Sequence, residues 1–245
     1  MRKLKFLRKS FVIFAVAIIA IIVASIIVRY SVEGEENLPF EVSKIMVISN
    51  AYGEQKEESQ NKWDLDLVQN NDVYIDILKN KNYNKEEIID KVILSNFQIE
   101  EKPQKGEVTI YNASSLENGV YHNQEQYKVI DKLEFEGNEE KTDIKNFQIS
   151  NQGGLILLRV VNQNIGTYTS NEEAEIRHDG SILTKAGVTN EDITFKVTFD
   201  LMVELKSDKK YKTKVTLEMP KGNLTGEGTT NYQIFGKEEL VFKRY

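Results

Sequence analysis

ITFKVTFDLMVEL, residues 193 to 205, sets Ile193, Phe195, Val197, Phe199, Leu201, Val203 and Leu205 on alternate positions with mostly polar residues between them. Side chains of an extended chain point alternately to opposite faces, so this period of two means a strand with one face in a core. Beyond the polar break Ser207-Asp208-Lys209, the residues Tyr211, Thr213, Val215, Leu217 and Met219 continue the pattern. Pro220 cannot donate to a ladder and ends it. The two runs predict a hairpin, and a register joining Leu205 to Tyr211 sets Val203 against Thr213, Leu201 against Val215 and Glu204 against Lys212.

Further candidate strands precede it: Phe40 to Ile48, Trp63 to Leu67, Val73 to Ile77, Val92 to Ile99, Glu107 to Tyr111 and Tyr127 to Phe135. Asn, Asp and Gly clusters such as Asn70-Asn71-Asp72 read as the turns between them. Asn84-Lys85-Glu86-Glu87 before Ile88 carries a helix-start signal that allows two helical turns or a polar loop. Asn-Phe-Gln-Ile occurs at 96 to 99 and again at 146 to 149, which suggests two related modules, 38–137 and 138–245, or one strand-turn-strand pattern used twice. The expected fold is mainly β: an N-terminal transmembrane helix followed by one or two β-sandwich, immunoglobulin-like modules.

The transmembrane segment is FVIFAVAIIAIIVASIIV, residues 11–28, 18 residues without a charge. At 1.5 Å rise per residue it spans roughly 27 Å of hydrocarbon, and as a helix it pairs its own backbone groups. Arg2, Lys3, Lys5, Arg8 and Lys9 precede it, so 1–10 is a basic cytoplasmic N-terminus, and 29–37 is a polar linker beyond the membrane. Ala15 and Ala17 form a small-x-small pair, but cleavage there would leave Ile18 to Val28 as a greasy new N-terminus, which favours a retained signal-anchor. Ala20 and Ala24 have the small-xxx-small spacing that lets two helices pair, a route to a homodimer.

Five of the 32 basic residues precede the span, leaving 27 against all 38 acidic residues, a formal charge of −11 on the remainder. Such a field disfavours nucleic acid as a partner. With no cysteine there is no disulfide, thiolate nucleophile or lipid-modified cysteine. His122 and His178 lie in polar stretches outside any metal-binding spacing, and Gly222, Gly226 and Gly228 lack the strand-to-helix junction of a phosphate loop. Ser207-Asp208-Lys209-Lys210 has the Ser-x-x-Lys spacing of an acyl enzyme but sits at a hairpin tip. Trp63, the single tryptophan, reads as core. No cofactor motif is present.

The one metal hypothesis concerns Asp64 and Asp76. If Leu67 pairs with Val73 in a hairpin, Asp64 faces Asp76, and a weakly bound Ca²⁺ would relieve the repulsion.

ENLPFEVSKIMVIS (36–49), WDLDLVQNNDVYI (63–75), the Asn-Phe-Gln-Ile repeats with SNQGGLILLRVVNQNIGTY (150–168) and LVFKRY (240–245) together resemble an uncharacterised family of bacterial single-pass membrane proteins. The resemblance covers nearly the whole chain and implies an anchor with a β-rich extracytoplasmic domain. It transfers no functional residue. The expectation is therefore a protein of the cell membrane with an extracellular C-terminal domain, acting as a non-catalytic binding or structural component of the bacterial cell envelope and meeting another envelope protein. The alternatives are an envelope hydrolase using carboxylates brought together in three dimensions, and a sensor subunit working through a membrane partner.

Overall fold

A computed structural model describes residues 2–56, 64–112, 128–137, 148–149, 153–170 and 179–245. Helix α1 (Arg2–Glu33) is followed by a body made chiefly of strands: β1 (Phe40–Gln55), β2 (Asp64–Lys79), β3 (Ile89–Glu101), β4 (Glu107–Asn112), β5 (Lys132–Gly137), β6 (Gln148–Ile149), β7 (Gly153–Thr169), β8 (Phe195–Leu205), β9 (Lys210–Met219), β10 (Thr229–Ile234) and β11 (Lys243–Arg244). One sheet has the order β10-β1-β2-β7-β4 and the other β11-β9-β8-β3-β5-β6. Neighbours are antiparallel except β5 and β6, which share a two-residue parallel pairing. The expected mainly β fold with one N-terminal apolar helix is what the chain adopts.

Both sheets draw strands from either side of position 137, and one core holds them. Val42, Ile45, Val73, Ile75, Ile156 and Leu158 of the first sheet cluster with Val92, Leu94, Phe199, Leu201, Val203 and Val215 of the second. Each such side chain contributes about 1.5–3 kcal/mol on leaving water. The expected boundary between 137 and 138 is therefore not a boundary between sheets: the strand ladders cross it.

The β8–β9 hairpin forms and stops at Met219, but its register differs by two residues. Val203 pairs with Tyr211, Leu201 with Thr213, Phe199 with Val215 and Glu204 with Lys210. The cause is the turn. Asp208 adopts φ 63°, its N–H reaches the Leu205 carbonyl at 2.9 Å, and the Leu205 N–H reaches the Lys209 carbonyl at 2.9 Å. Asp tolerates this left-handed conformation, so three residues close the hairpin where five were expected. A shift of two preserves which face is buried. Ile193 belongs not to the strand but to a short helix, α3 (Asn190–Ile193), closed by a reciprocal Thr189–Asp192 capping box.

The larger correction lies in β2. The stretch 63–77 was expected to fold back on itself at Asn70-Asn71-Asp72; its described part, 64–77, instead runs inside one continuous strand between β1 and β7. The polar residues that resemble a turn are buried and satisfied across the sheet. Asn162 Nδ2 donates to Gln69 Oε1 at 3.5 Å and to the Lys105 carbonyl at 3.1 Å, Gln69 Nε2 donates to Asn71 Oδ1 at 3.0 Å, and Asn71 Nδ2 donates to the Val160 carbonyl at 2.9 Å. On the opposite face Arg159 grips Asp72 through two hydrogen bonds of 2.7 and 2.9 Å. Tertiary partners override the local turn preference.

Asn84 to Glu87 form no helix; this stretch is loop leading into β3. Among the described residues the helices of the body lie elsewhere: besides α3, there are α2 (Ser181–Lys185), α4 (Leu224–Glu227) and α5 (Gly236–Glu239). Helices α2, α3 and α4 bury Ile182, Leu183, Ile193 and Leu224 against Leu65, Leu67 and Ile165, a second core at the end of the body away from Phe40. Asn96 of the first Asn-Phe-Gln-Ile copy sits at φ 54° where the β3–β8 pairing shifts, and its amide donates to Asp200. That asparagine has a bulge to form. Of the second copy only Gln148 and Ile149 fall within the described residues; Trp63, His122 and His178 lie outside them.

Candidate functional site

The membrane helix and the body meet in a built junction. Gly34 ends α1 with φ 73°, its N–H donating to the Tyr30 carbonyl at 2.9 Å, the left-handed helix stop that glycine adopts without a Cβ penalty. A Cβ there would lie 2.3 Å from the Phe242 carbonyl oxygen, so the close approach also requires glycine. The next N–H, of Glu35, donates to that carbonyl at 2.8 Å. From the other side the Arg244 N–H donates to the Tyr30 hydroxyl at 2.7 Å. The Arg244 guanidinium reaches Glu35 at 3.2 Å and the Tyr211 hydroxyl at 3.3 Å, with its charge 5.5 Å from the Tyr211 ring centre. Tyr211 packs edge-on against Phe40 at 5.5 Å, and Phe40 against Phe242 at 5.0 Å. A continuous series of contacts thus leads from the last turn of the helix into the main core, and 29–37, expected as a linker, is fastened.

Arg29 pairs with Glu33 at 2.7 Å and also with Glu36, tying the final helical turn to the chain that leaves it. Nearby, the loop before β3 places Glu87 under the β8–β9 tip, where it accepts from Ser207 at 2.6 Å and from Lys209. Burial raises the Glu87 pKa, but those two hydrogen bonds outweigh it and hold the carboxyl below its ordinary range. The Ser-x-x-Lys spacing at 207–210 therefore marks a structural clasp: the serine and Lys209 are committed to Glu87, and Lys210 pairs with Glu204 at 2.9 Å.

At the far end of the first sheet a cleft of about 460 Å³ is lined by Glu54, Gln55, Lys56, Asp66, Gln163 and Asn164. Its carboxylates are partnered. Lys56 lies 3.4 Å from Asp64 and 3.9 Å from Asp66, and Asp64 accepts from the Thr169 hydroxyl at 2.9 Å. Tyr52 donates to Glu54 at 2.7 Å, and burial, helped by that carboxylate, pushes its phenol up to about 12. Such a cleft presents polar groups and a cation to a ligand rather than two opposed acids with an aromatic wall.

The pairing that suggested a cation between Asp64 and Asp76 does not form. The two aspartates stand twelve residues apart on β2, roughly 40 Å at ~3.3 Å per residue. Asp76 accepts from Ser43 and pairs in register with Lys44 of β1, while Asp64 stands beside Lys56. Among the described residues no group of three or more His, Asp or Glu side chains is placed to hold a metal.

The junction residues Tyr30, Gly34, Glu35 and Arg244 were not legible as a site, because Tyr30 and Arg244 are 214 positions apart and nothing local marks them as partners. The one available signal was LVFKRY itself, an apolar and basic run like the flanks of a membrane span. Comparison of the chain with protein-family models, with curated proteins and with solved structures finds no match.

Proposed function

We propose that the chain is a single-pass membrane protein whose acidic β-rich body stands outside a bacterial cell as a non-catalytic binding or structural component of the envelope. The observation that carries this is the bare helix. Within Phe11–Glu33 the most apolar stretch of 18 residues has a mean hydropathy of 3.3 and no part of it is buried against the body, with Phe11, Ile13, Ile21 and Ile26 each more than 60% exposed. In water so much exposed apolar surface is untenable; in a bilayer it is the solvated state. The fastened junction supports retention of the helix, since Tyr30 and Gly34 are built into the body that the helix carries.

The basic flank at Arg2 to Lys9 supports a cytoplasmic N-terminus in this reading, through the positive-inside rule. We read the two-sheet body as an immunoglobulin-like sandwich, the resemblance to bacterial single-pass proteins as kinship, and the exposed Ala20 and Ala24 as a face for pairing with a second helix. A binding role is favoured by the cleft, whose acids Glu54 and Asp66 are engaged by the Tyr52 hydroxyl and by Lys56. Alkaline extraction of membranes from expressing cells, with sequencing of the mature N-terminus and protease treatment of cells without an outer barrier, tests the reading. Expected are a chain that stays in the pellet, retains residues 11–28 and loses its body to protease. A mature start beyond Ala17, or a protected body, overturns it.

A further inference from the structure

Six large apolar residues of the body are exposed among the described residues: Leu78, Ile130, Leu155, Phe235, Val241 and Tyr245. Five of them lie at one end. Leu78 pairs with Glu41, one residue past the start of β1, and with Gly153, the first residue of β7. Leu155 is two residues further along β7. Phe235 precedes Gly236, whose Cβ would lie 2.2 Å from the Val42 carbonyl. Val241 abuts Gly34, and the Tyr245 N–H donates to the Lys210 carbonyl at 3.2 Å. This is the end at which the membrane helix enters, and the Arg244 N–H on the Tyr30 hydroxyl places β11 two residues past Val28, the last residue of the uncharged span.

We propose that this end of the body is a lipid-contacting surface: Leu155, Phe235, Val241 and Tyr245 rest in the headgroup zone of the same bilayer that α1 crosses, so that the body is seated on the membrane rather than held away from it. The proposal rests on the anchored reading above. Aromatic and aliphatic side chains with a polar rim suit the interface, where the ring meets acyl chain and the polar tip meets water. Charge agrees. The chain beyond the span carries −11 overall, yet at this end Lys81, Lys85, Lys206 and Lys243 are exposed, Glu35 and Glu36 are paired with arginines, and Glu87 is held by Lys209. Glu86, Asp208 and Glu239 keep the surface near neutral rather than basic, so it meets lipid phosphates without the repulsion the rest of the body would feel. Lysine stems can lie along the apolar residues while their ammonium groups reach phosphate.

Because the chain has no cysteine, each introduced one is a unique label site. Full-length L155C, F235C and V241C, with I130C and E227C as controls, are labelled with an environment-sensitive fluorophore. Each is reconstituted in phosphatidylethanolamine–phosphatidylglycerol vesicles with nitroxide lipids. Labels at 155, 235 and 241 are expected to shift to the blue and lose most of their emission to the nitroxides, while those at 130 and 227 remain as in water. Ile130 makes the comparison specific: it is 95% exposed and apolar, yet it follows Val129, whose N–H donates to the Ile110 carbonyl at the level of Ser49, nine residues along β1 from Phe40. Chain that floats with the vesicles and resists alkaline extraction but shows five equally wet labels overturns the seating and leaves the anchor standing. Chain that fails to float overturns the anchored reading, and this inference with it.

Discussion

At Asp72 a sequence that reads as turn becomes the charged centre of a sheet. Its carboxylate and the Arg159 guanidinium are each about nine-tenths buried and joined by two hydrogen bonds. Removing one partner strands the other charge in a low-dielectric site. Asp72→Ala is expected to lower unfolding free energy by about 3–5 kcal/mol in denaturant titration, and Asp72→Ala with Arg159→Ala by less than the sum of the single changes. Equal and additive losses would show that the pair is not coupled. Asn71 makes the same point without charge: alone it favours a turn, and only with Gln69 and Val160 as partners does it fit a central strand. Gly34 differs, because its position after a helix was visible while the Phe242 carbonyl that excludes any side chain was 208 residues away.

Among elements, the β8–β9 hairpin was the most legible, because its alternation is strong and its end is fixed by Pro220. Its register was not, since the pattern repeats every two residues and leaves slips of two degenerate. The turn decides between them, through the left-handed Asp208. A double-mutant cycle on Glu204 and Lys210 is expected to give a coupling of ~0.2–1 kcal/mol, while the same cycle on Glu204 and Lys212 gives a value near zero. The reverse order would restore the longer loop. The short helices lack a long periodic run; their sequence signals are caps, Thr189 with Asp192 three residues on for α3, and Asn223 before and Gly228 after α4.

For the whole molecule, acidity is the sensitive variable. Glu87, Glu100, Glu134, Asp192 and Asp200 all sit below their ordinary carboxylate values. For Glu100 and Glu134 the first cause is a hydrogen bond from lysine, for Asp192 the Thr189 amide; for Glu87 and Asp200 lysine hydrogen bonds outweigh an opposing burial effect. In that range the unfolded chain binds more protons, so stability present above about pH 4.5 is lost as pH falls through the lower folded values. At the alkaline side Tyr52, raised to about 12 by burial, keeps its proton when the unfolded phenol has lost it, so stability falls again as pH rises from about 10. Thermal melts across pH are expected to show both declines, and a melting temperature flat down to pH 3 would contradict the acid one. By itself the sequence determined the apolar helix, the acidic charge of the chain beyond it, and strands as the main element, because each is set by composition or by a period within ten or twenty residues. Only the tertiary structure decided that β2 runs unbroken, that the ladders cross the middle of the chain, and that Arg244 closes on Tyr30. Those depend on partners far apart in the chain, whose hydrogen bonds and packing outweigh what either segment prefers alone.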